Sequence, residues 1–474
     1  MTDAGGQDNS AGGPTCIATA VADVLIPPTV TGPPAPLPLW RFLPRFIRNP
    51  LRSLPQTVYS EPLVSFDGGR GRIVWVTGPA LVERILLHEQ DTFRKTALER
   101  RVLGPTLGDG ILTAEGASWR WQRRVAAPLL RHQDLLRFVP AMNTAADRLI
   151  ARWRSLPPGR PVDVERDMTD VTYDIITHTL LAGAAAAEGE TVKRASAELL
   201  GVVTWEIAAA MMGVPTSVWH PGRTRLRRNS ALLRKTVDAI VARRRQEGGE
   251  DGGLVGRLLA ATDPDTGQPM SDAQVTDNLL TFLLADHETT AKALTWTLYL
   301  LARAPQWQAR VRAEIEAVAA AGPITPAHLP HLTVTARVLK ESMRLYPPAP
   351  VLTREVAART ELGGRTLTPG TLIVMPIFAI HRHKQLWTDP DRFDPDRFLP
   401  EAESRMVRTQ FMPFGFGSRT CLGMAFAMIE ATVLLAVLVR GARFGWDGRH
   451  SPEPVSRVTL RPKGGMPLHV SALS

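Results

Sequence analysis

Apolar residues recur at helical spacing over most of this chain, and the longest such stretch runs from Ser271 to Ala304. The serine at its start and Ala304-Pro305 at its end are helix start and stop signals. Further helical patterns cover Pro79–Glu89, Gln306–Ala321, Leu329–Leu345 and Phe426–Val439, and another opens at Gly116. Between 133 and 213 helical patterns alternate with short breaks, the last ending at Met211-Met212-Gly213-Val214-Pro215. Arg223–Arg244 sets Leu226, Leu233, Val237 and Val241 on one face and a solvated basic face opposite.

Strand patterns are fewer. Val58–Ser65 and Arg72–Val76 flank a Gly-Gly turn and predict a hairpin. Val351–Glu355 predicts a strand, Leu362–Ala379 a hairpin around Thr368-Pro-Gly-Thr, and Val458–Val470 a hairpin turning at Lys463-Gly-Gly. Residues 94–112 read as irregular loop. Residues 1–39 are Gly-rich, then Pro-rich, and predict a disordered, extended lead-in to one large unit over 40–474. Within Trp40–Leu54, apolar residues mix with Arg41, Arg45, Arg48 and Arg52. The prolines favour a short helix on the domain edge over a membrane-surface segment. The expected class is mostly α with a smaller β-rich region near the N-terminus.

Composition narrows the setting. The 44% hydrophobic content over 474 residues can build a large core. No run approaches the roughly 18 uncharged apolar residues of a spanning helix. No basic-then-apolar signal opens the chain. No transmembrane anchor and a cytoplasmic location are therefore expected. Cys16 and Cys421 are the two cysteines, which suits a reducing compartment. The net charge of +10 suits acidic partners. No nucleic-acid motif stands out, so an acidic protein is the expected one.

The chemistry concentrates in Phe414–Gly423, Phe-Gly-Phe-Gly-Ser-Arg-Thr-Cys-Leu-Gly, just before an apolar helical pattern. A helix N-terminus helps a thiolate stay ionised. Gly415, Gly417 and Gly423 let the backbone turn and let a flat ligand come close. Haem is such a ligand, and cysteine thiolate is one of its axial partners. Phe-Gly-x-Gly-x-Arg-x-Cys-x-Gly resembles the haem-ligand loop of the cytochrome P-450 monooxygenases, and the chain resembles their soluble bacterial type.

Four other motifs extend the resemblance over about residues 40–470, in family order. Trp119 and Arg123, one helical turn apart, resemble the pair that holds a haem propionate. Ala285-Asp286-His287-Glu288-Thr289-Thr290 resembles the Ala-Gly-x-acid-Thr-Thr segment of the helix crossing the haem. Glu288 and Thr289 match its proton-relaying acid and alcohol, and Ala285 its small surface beside the iron. Glu341-Ser-Met-Arg344 and the later Arg397 resemble a buried structural triad beneath the haem. Arg354 and Arg419 are implied propionate partners, Phe414, Gly415 and Gly423 haem neighbours, and Cys421 the iron ligand. Ile207, Met211 and Met212 are placed by the resemblance near substrate.

The resemblance implies a P-450 fold binding haem b (iron protoporphyrin IX) between the long central helix and the helix after the Cys loop. It implies insertion of one oxygen atom from dioxygen into an apolar organic substrate. No Gly-rich nucleotide fingerprint follows the haem unit, so electrons are expected from a separate acidic ferredoxin or flavodoxin. A low aromatic count and apolar pocket candidates favour a lipid-like or terpenoid substrate. A haem-thiolate peroxygenase or isomerase and a non-enzymatic haem sensor stay open as alternatives. Asp286 departs from the pattern, standing where the family has Gly. It reads either as part of the proton relay or as a bystander paired with a base, with the bystander preferred.

Overall fold

The computed structural model describes residues 24–67, 72–157, 159–179, 188–220, 222–247, 254–263 and 266–473. Cys16, the expected disorder at the start of the chain and the expected turn at Gly68-Gly69 lie outside the described residues. The Pro-rich lead-in from residue 24 onward is extended and packed. Leu25 O accepts from Phe393 N–H at 2.9 Å and Pro28 O from the Tyr346 hydroxyl at 2.7 Å.

The helices that build the site are α1 (Leu39–Arg48), α2 (Ala97–Leu107), α3 (Gly116–Ala126), α4 (Val139–Arg154), α5 (Val164–Thr179) and α6 (Gly189–Met211). They continue as α7 (Arg223–Gln246), α8 (Asp272–Arg303), α9 (Pro305–Ala319), α10 (Thr333–Leu345) and α11 (Met424–Gly441). α8 starts at a reciprocal cap. Ser271 Oγ accepts from Gln274 N–H at 3.3 Å, and Gln274 Oε1 accepts from Ser271 N–H at 2.9 Å. Its apolar length is buried against α5, α7 and α11, and Trp296 stacks on Tyr346 with centroids 3.8 Å apart. α11 is long and apolar enough to cross a membrane by length and composition, yet 67% of it is buried inside the fold.

One five-stranded sheet flanks the helices: β1 (Leu63–Asp67), β2 (Arg72–Val76), β3 (Phe93–Arg94), β4 (Leu352–Val356) and β5 (Leu372–Met375). Their order is β1-β2-β5-β4-β3, with β2 and β5 parallel and the other pairs antiparallel.

Four local expectations change. Pairing with β2 begins at Leu63, because Val58 belongs to a tight helical turn (Gln56–Tyr59) and Pro62 precedes the strand. Within residues 94–112, expected as loop, 97–107 are helix. Thr96 Oγ1 accepts from Glu99 N–H at 3.0 Å and caps α2, and Pro105 falls in its last turn, where it ends the helix without preventing it. The hairpin after β4 turns at Gly363-Gly364, both at positive φ, and joins Thr360–Leu362 to Arg365–Leu367. The Thr368-Pro369 stretch instead leads into β5. At the C-terminus, Leu460–Pro462 pairs back with Pro454–Ser456, while Pro467–Ala472 joins Ala442–Gly445 and Pro161–Asp163.

Glu341, Arg344 and Arg397 come together under the site. Glu341 and Arg344 are fully buried and bidentate, at 2.7 and 2.8 Å. Arg344 also donates to the carbonyls of His381, Pro390 and Arg392, and Glu341 accepts from Asp394 N–H. Arg397 is the looser member, with Nε 3.6 Å from Glu341 and Nη2 on Asp389 O. Removing one partner of a buried pair strands the other charge, at about 3–5 kcal/mol. Glu341→Ala should therefore lower unfolding stability by about that amount. A urea-denaturation midpoint equal to that of the parent would contradict this.

Candidate active site

Loop geometry aims Cys421. Gly415 and Gly417 stand at φ 74° and 77°, and a Cβ on Gly417 would meet Leu86 O at 2.2 Å, so only glycine fits there. Cys421 N–H donates to Phe414 O at 2.9 Å, and Thr420 N–H to Gly417 O at 3.1 Å. Gly423 is the residue that opens α11. Cys421 is exposed only toward an internal cavity, since protein crowds its other sides. Burial raises its thiol pKa, and the Asp286 charge adds to this. The N–H groups of Gly423 and Met424 and the Arg123 guanidinium pull the other way without prevailing. Such a thiol is neutral alone, and a coordinated metal cation would deprotonate it.

The cavity holds about 600 Å³. Cys421, Leu422 and Phe426 line one wall and Ala285, Asp286 and Thr289 of α8 another. Apolar residues of α1, α2 and α6 complete it, among them Phe46, Val102 and Val203. Ile207 and Met211 line it as expected, but Met212 does not: it is solvent-exposed, because α6 ends at Met211.

A cation cluster closes one edge. Arg419 stacks over the Trp119 ring at 4.2 Å and donates to Ala114 O at 3.0 Å. Arg123 stands 5.9 Å from the same ring and donates to Thr420 O at 2.9 Å. Arg354 donates to Thr353 O at 2.7 Å. Burial, then Arg354, takes Arg419 down to about 10. Burial also lowers Arg123 and Arg354. Lys95, overlooked in the sequence, joins them. It pairs with Glu99 at 2.8 Å and is still lowered by burial. The carboxylates acting on this cluster are Glu99 and Glu115, so the four cations outnumber the acids. A bound dianion such as a pair of propionates would balance it.

Over the cavity, three polar residues of α8 have different surroundings. Thr289 Oγ1 donates to Ala285 O at 2.9 Å. Glu288 accepts from Thr459 Oγ1 at 2.9 Å and pairs with Arg461 at 2.9 Å and Lys292 at 3.5 Å. Burial pushes Glu288 up, but Lys292 and Arg461 outweigh it and hold the carboxyl at about 2. Asp286 has no base beside it. Burial raises it to about 7, and its Oδ2 has no hydrogen-bond partner. Its electrostatic neighbour is Glu430 of α11, itself fully buried and raised by burial and by Asp286, with the nearby Thr290 hydroxyl pulling the other way without prevailing. Glu430 was also overlooked, although a lone carboxylate inside the apolar run Phe426–Val439 was a legible signal.

A family profile described as cytochrome P450 matches residues 31–468. This chain belongs to the cytochrome P-450 family. It is similar to cyclooctat-9-en-7-ol 5-monooxygenase of Streptomyces melanosporofaciens, with 31% identity across 90% of this chain and 92% of that one. It is also similar to pentalenene oxygenase of Streptomyces avermitilis, with 29% identity across 88% and 91%. The solved haem domain of cytochrome P450DA superposes with a TM-score of 0.78 at 25% identity, covering 94% of this chain and 99% of that one. The protein is a P-450 monooxygenase with a P-450 haem-domain fold, and haem is the family's cofactor. The residues present fit it: a cavity-facing cysteine, an apolar slot and an unbalanced cation cluster. Cys421 would hold the iron, and Trp119, Arg123, Arg354, Arg419 and Lys95 the propionate edge. Ala285, Phe414, Gly415 and Gly423 border the same slot.

Asp286 carries a stability signature. Between about 3.9, the unfolded value, and about 7, the folded protein holds a proton that the unfolded chain has lost. Folding stability therefore falls as pH rises through that window. Asp286→Asn removes this cost, so its Tm advantage over the parent should grow from about pH 4 to about pH 7. A Tm difference that stays flat across the window would contradict the buried acid.

Proposed function

We propose that this P-450 binds haem b and inserts one oxygen atom from dioxygen into an apolar, terpenoid-like hydrocarbon or alcohol. The observation that carries the reading is the cavity of about 600 Å³, whose lining is mostly apolar away from Cys421, the α8 polar residues and the Arg–Lys edge. Relatives named for a cyclic alkenol and for pentalenene support that substrate class. We place the protein in the cytoplasm, with electrons from a separate acidic ferredoxin or flavodoxin. The net charge of +10 supports such a partner.

Bound haem supplies dioxygen activation, with the Cys421 thiolate donating electron density that favours O–O cleavage. The chain's residues supply protons and exclude water. Thr289 Oγ1, back-bonded to Ala285 O, can turn toward the cavity and carry a proton across it. Asp286 is the carboxyl that still holds a proton near neutral pH. Glu288, ionised within its pairs, orients α8 and its neighbours and is a poor donor at that pH. In this reading Asp286 takes the donor role that the family pattern gives to the acid at 288, with Glu430 behind it as a second store.

Two measurements on the haem-loaded protein test the proposal. Apolar terpenoids should shift the ferric spin state on binding, and sugars should not. Thr289→Ala should consume reducing equivalents but release most as peroxide, lowering product per electron. Equal product per electron in variant and parent would refute the proton role, and a library without one apolar spin-shifting compound would refute the substrate class.

A further inference from the structure

Among the described residues, five cations line the cavity, and Lys95, Arg123, Arg354 and Arg419 gather at the propionate edge. The fifth, Arg457, stands on a different wall, where the C-terminal hairpin meets α1 and α6.

The hairpin that carries it is fixed on both strands. Asn49 Nδ2 donates to Pro454 O at 3.0 Å, and Asn49 Oδ1 accepts from Ser456 N–H at 3.2 Å. On the other strand, Leu460 N–H donates to Pro348 O at 3.0 Å, and Leu460 O accepts from the Trp296 indole at 3.1 Å. Arg457 N–H closes the turn on Thr459 O at 2.9 Å. The side chain is held as well. Its Nη1 donates to Ile47 O of α1 at 3.1 Å and to Thr204 Oγ1 of α6 at 3.3 Å. A planar guanidinium held at one nitrogen by two acceptors is already oriented for a further partner.

No carboxylate among the described residues forms an ion pair with Arg457. The acids on the elements around it are engaged elsewhere. Glu288 pairs with Lys292 and Arg461, Glu453 with Arg52, and Glu206 with Arg101, Arg223 and His220, while Glu198 accepts from Asn229. Burial, then the nearby Arg461 charge, lowers the Arg457 pKa. Only Nη1 is used. Nε and Nη2, the edge with which Arg344 grips Glu341, bond to no described residue. That edge matches a carboxylate through two parallel N–H···O bonds. Phe46 and Val203, the chain neighbours of its two acceptors, are apolar and line the cavity too. A cation half-buried beside apolar walls is costly until an anion answers it.

We propose that Arg457 anchors a carboxylate, so that this P-450 also accepts apolar carboxylic acids of terpenoid size. The apolar body fills the cavity, and the acid end meets the one lining cation outside the propionate edge. This rests on the apolar-substrate reading above and extends its substrate class from hydrocarbons and alcohols to acids.

The experiment measures binding of farnesoic acid, farnesol and methyl farnesoate, three probes with one apolar body, to the haem-loaded full chain. The pH is about 8, where a carboxylic acid is ionised. The ferric spin shift and equilibrium dialysis both read the affinity. Farnesoic acid should bind at least about tenfold tighter than the alcohol or the ester. Arg457→Gln should erase that preference, and Arg457→Lys, which keeps the charge without the fork, should retain part of it. The ratio of acid to alcohol affinity decides, because a mere loosening of α1 or α6 would weaken all three probes together. A parent that binds farnesol as tightly as farnesoic acid would overturn the proposal and leave the apolar-substrate reading standing. An acid preference that survives Arg457→Gln would overturn it too. If none of the three probes binds, both readings fall.

Discussion

A cysteine held at the mouth of a helix and turned into a closed apolar space is the constraint on which the rest depends. Nothing the protein itself supplies would keep that thiol ionised, since burial wins over the N–H groups of Gly423 and Met424. The loop must therefore present Sγ at a fixed place for a metal to claim it. Gly417 permits the close pass over Leu86 O, and Cys421 N–H closes on Phe414 O. Beneath them the Glu341–Arg344 pair binds three separate carbonyls of the segment that leads to the loop. Buried charge serves here to fix position, at a desolvation cost that only near-complete hydrogen bonding offsets.

Electrostatics then divide the cavity. At one edge, cations in excess of acids prepare for an anion. Over the far wall, two acids on adjacent elements are kept protonated by burial, and a third, two residues along the same helix, is kept ionised by Lys292 and Arg461. Carboxyls whose surroundings push their pKa values apart are suited to different tasks. In this chain the acid at the motif position is the anchored one, and the unusual Asp286 is the one that can hold a proton.

The helical architecture was legible because long 3.6-residue periodicity with caps at Ser271 and Ala304-Pro305 leaves few alternatives. The Cys421 loop was legible because glycine, arginine and cysteine there form one dense pattern. The helix at 97–107 was missed because Gly104, Pro105 and Gly108 look like breakers, while the deciding feature is the Thr96 cap just before it. Lys95 and Glu99 were lost with that helix. Both hairpin errors share a cause: glycine turns are visible in sequence, but which strands pair is settled by tertiary contacts that local pattern does not carry. Arg461, the partner that fixes Glu288, lies in one of those misread strands. Its role could not be found from sequence spacing alone.

The central claim is thiolate ligation by Cys421, and the carbon monoxide difference spectrum of the reduced protein tests it most directly. The parent should show the thiolate-type band, and Cys421→Ser, if it retains haem, should lack it, since a hydroxyl is a far poorer donor at neutral pH. A parent without that band, or a Cys421→Ser spectrum identical to the parent's, would contradict the account.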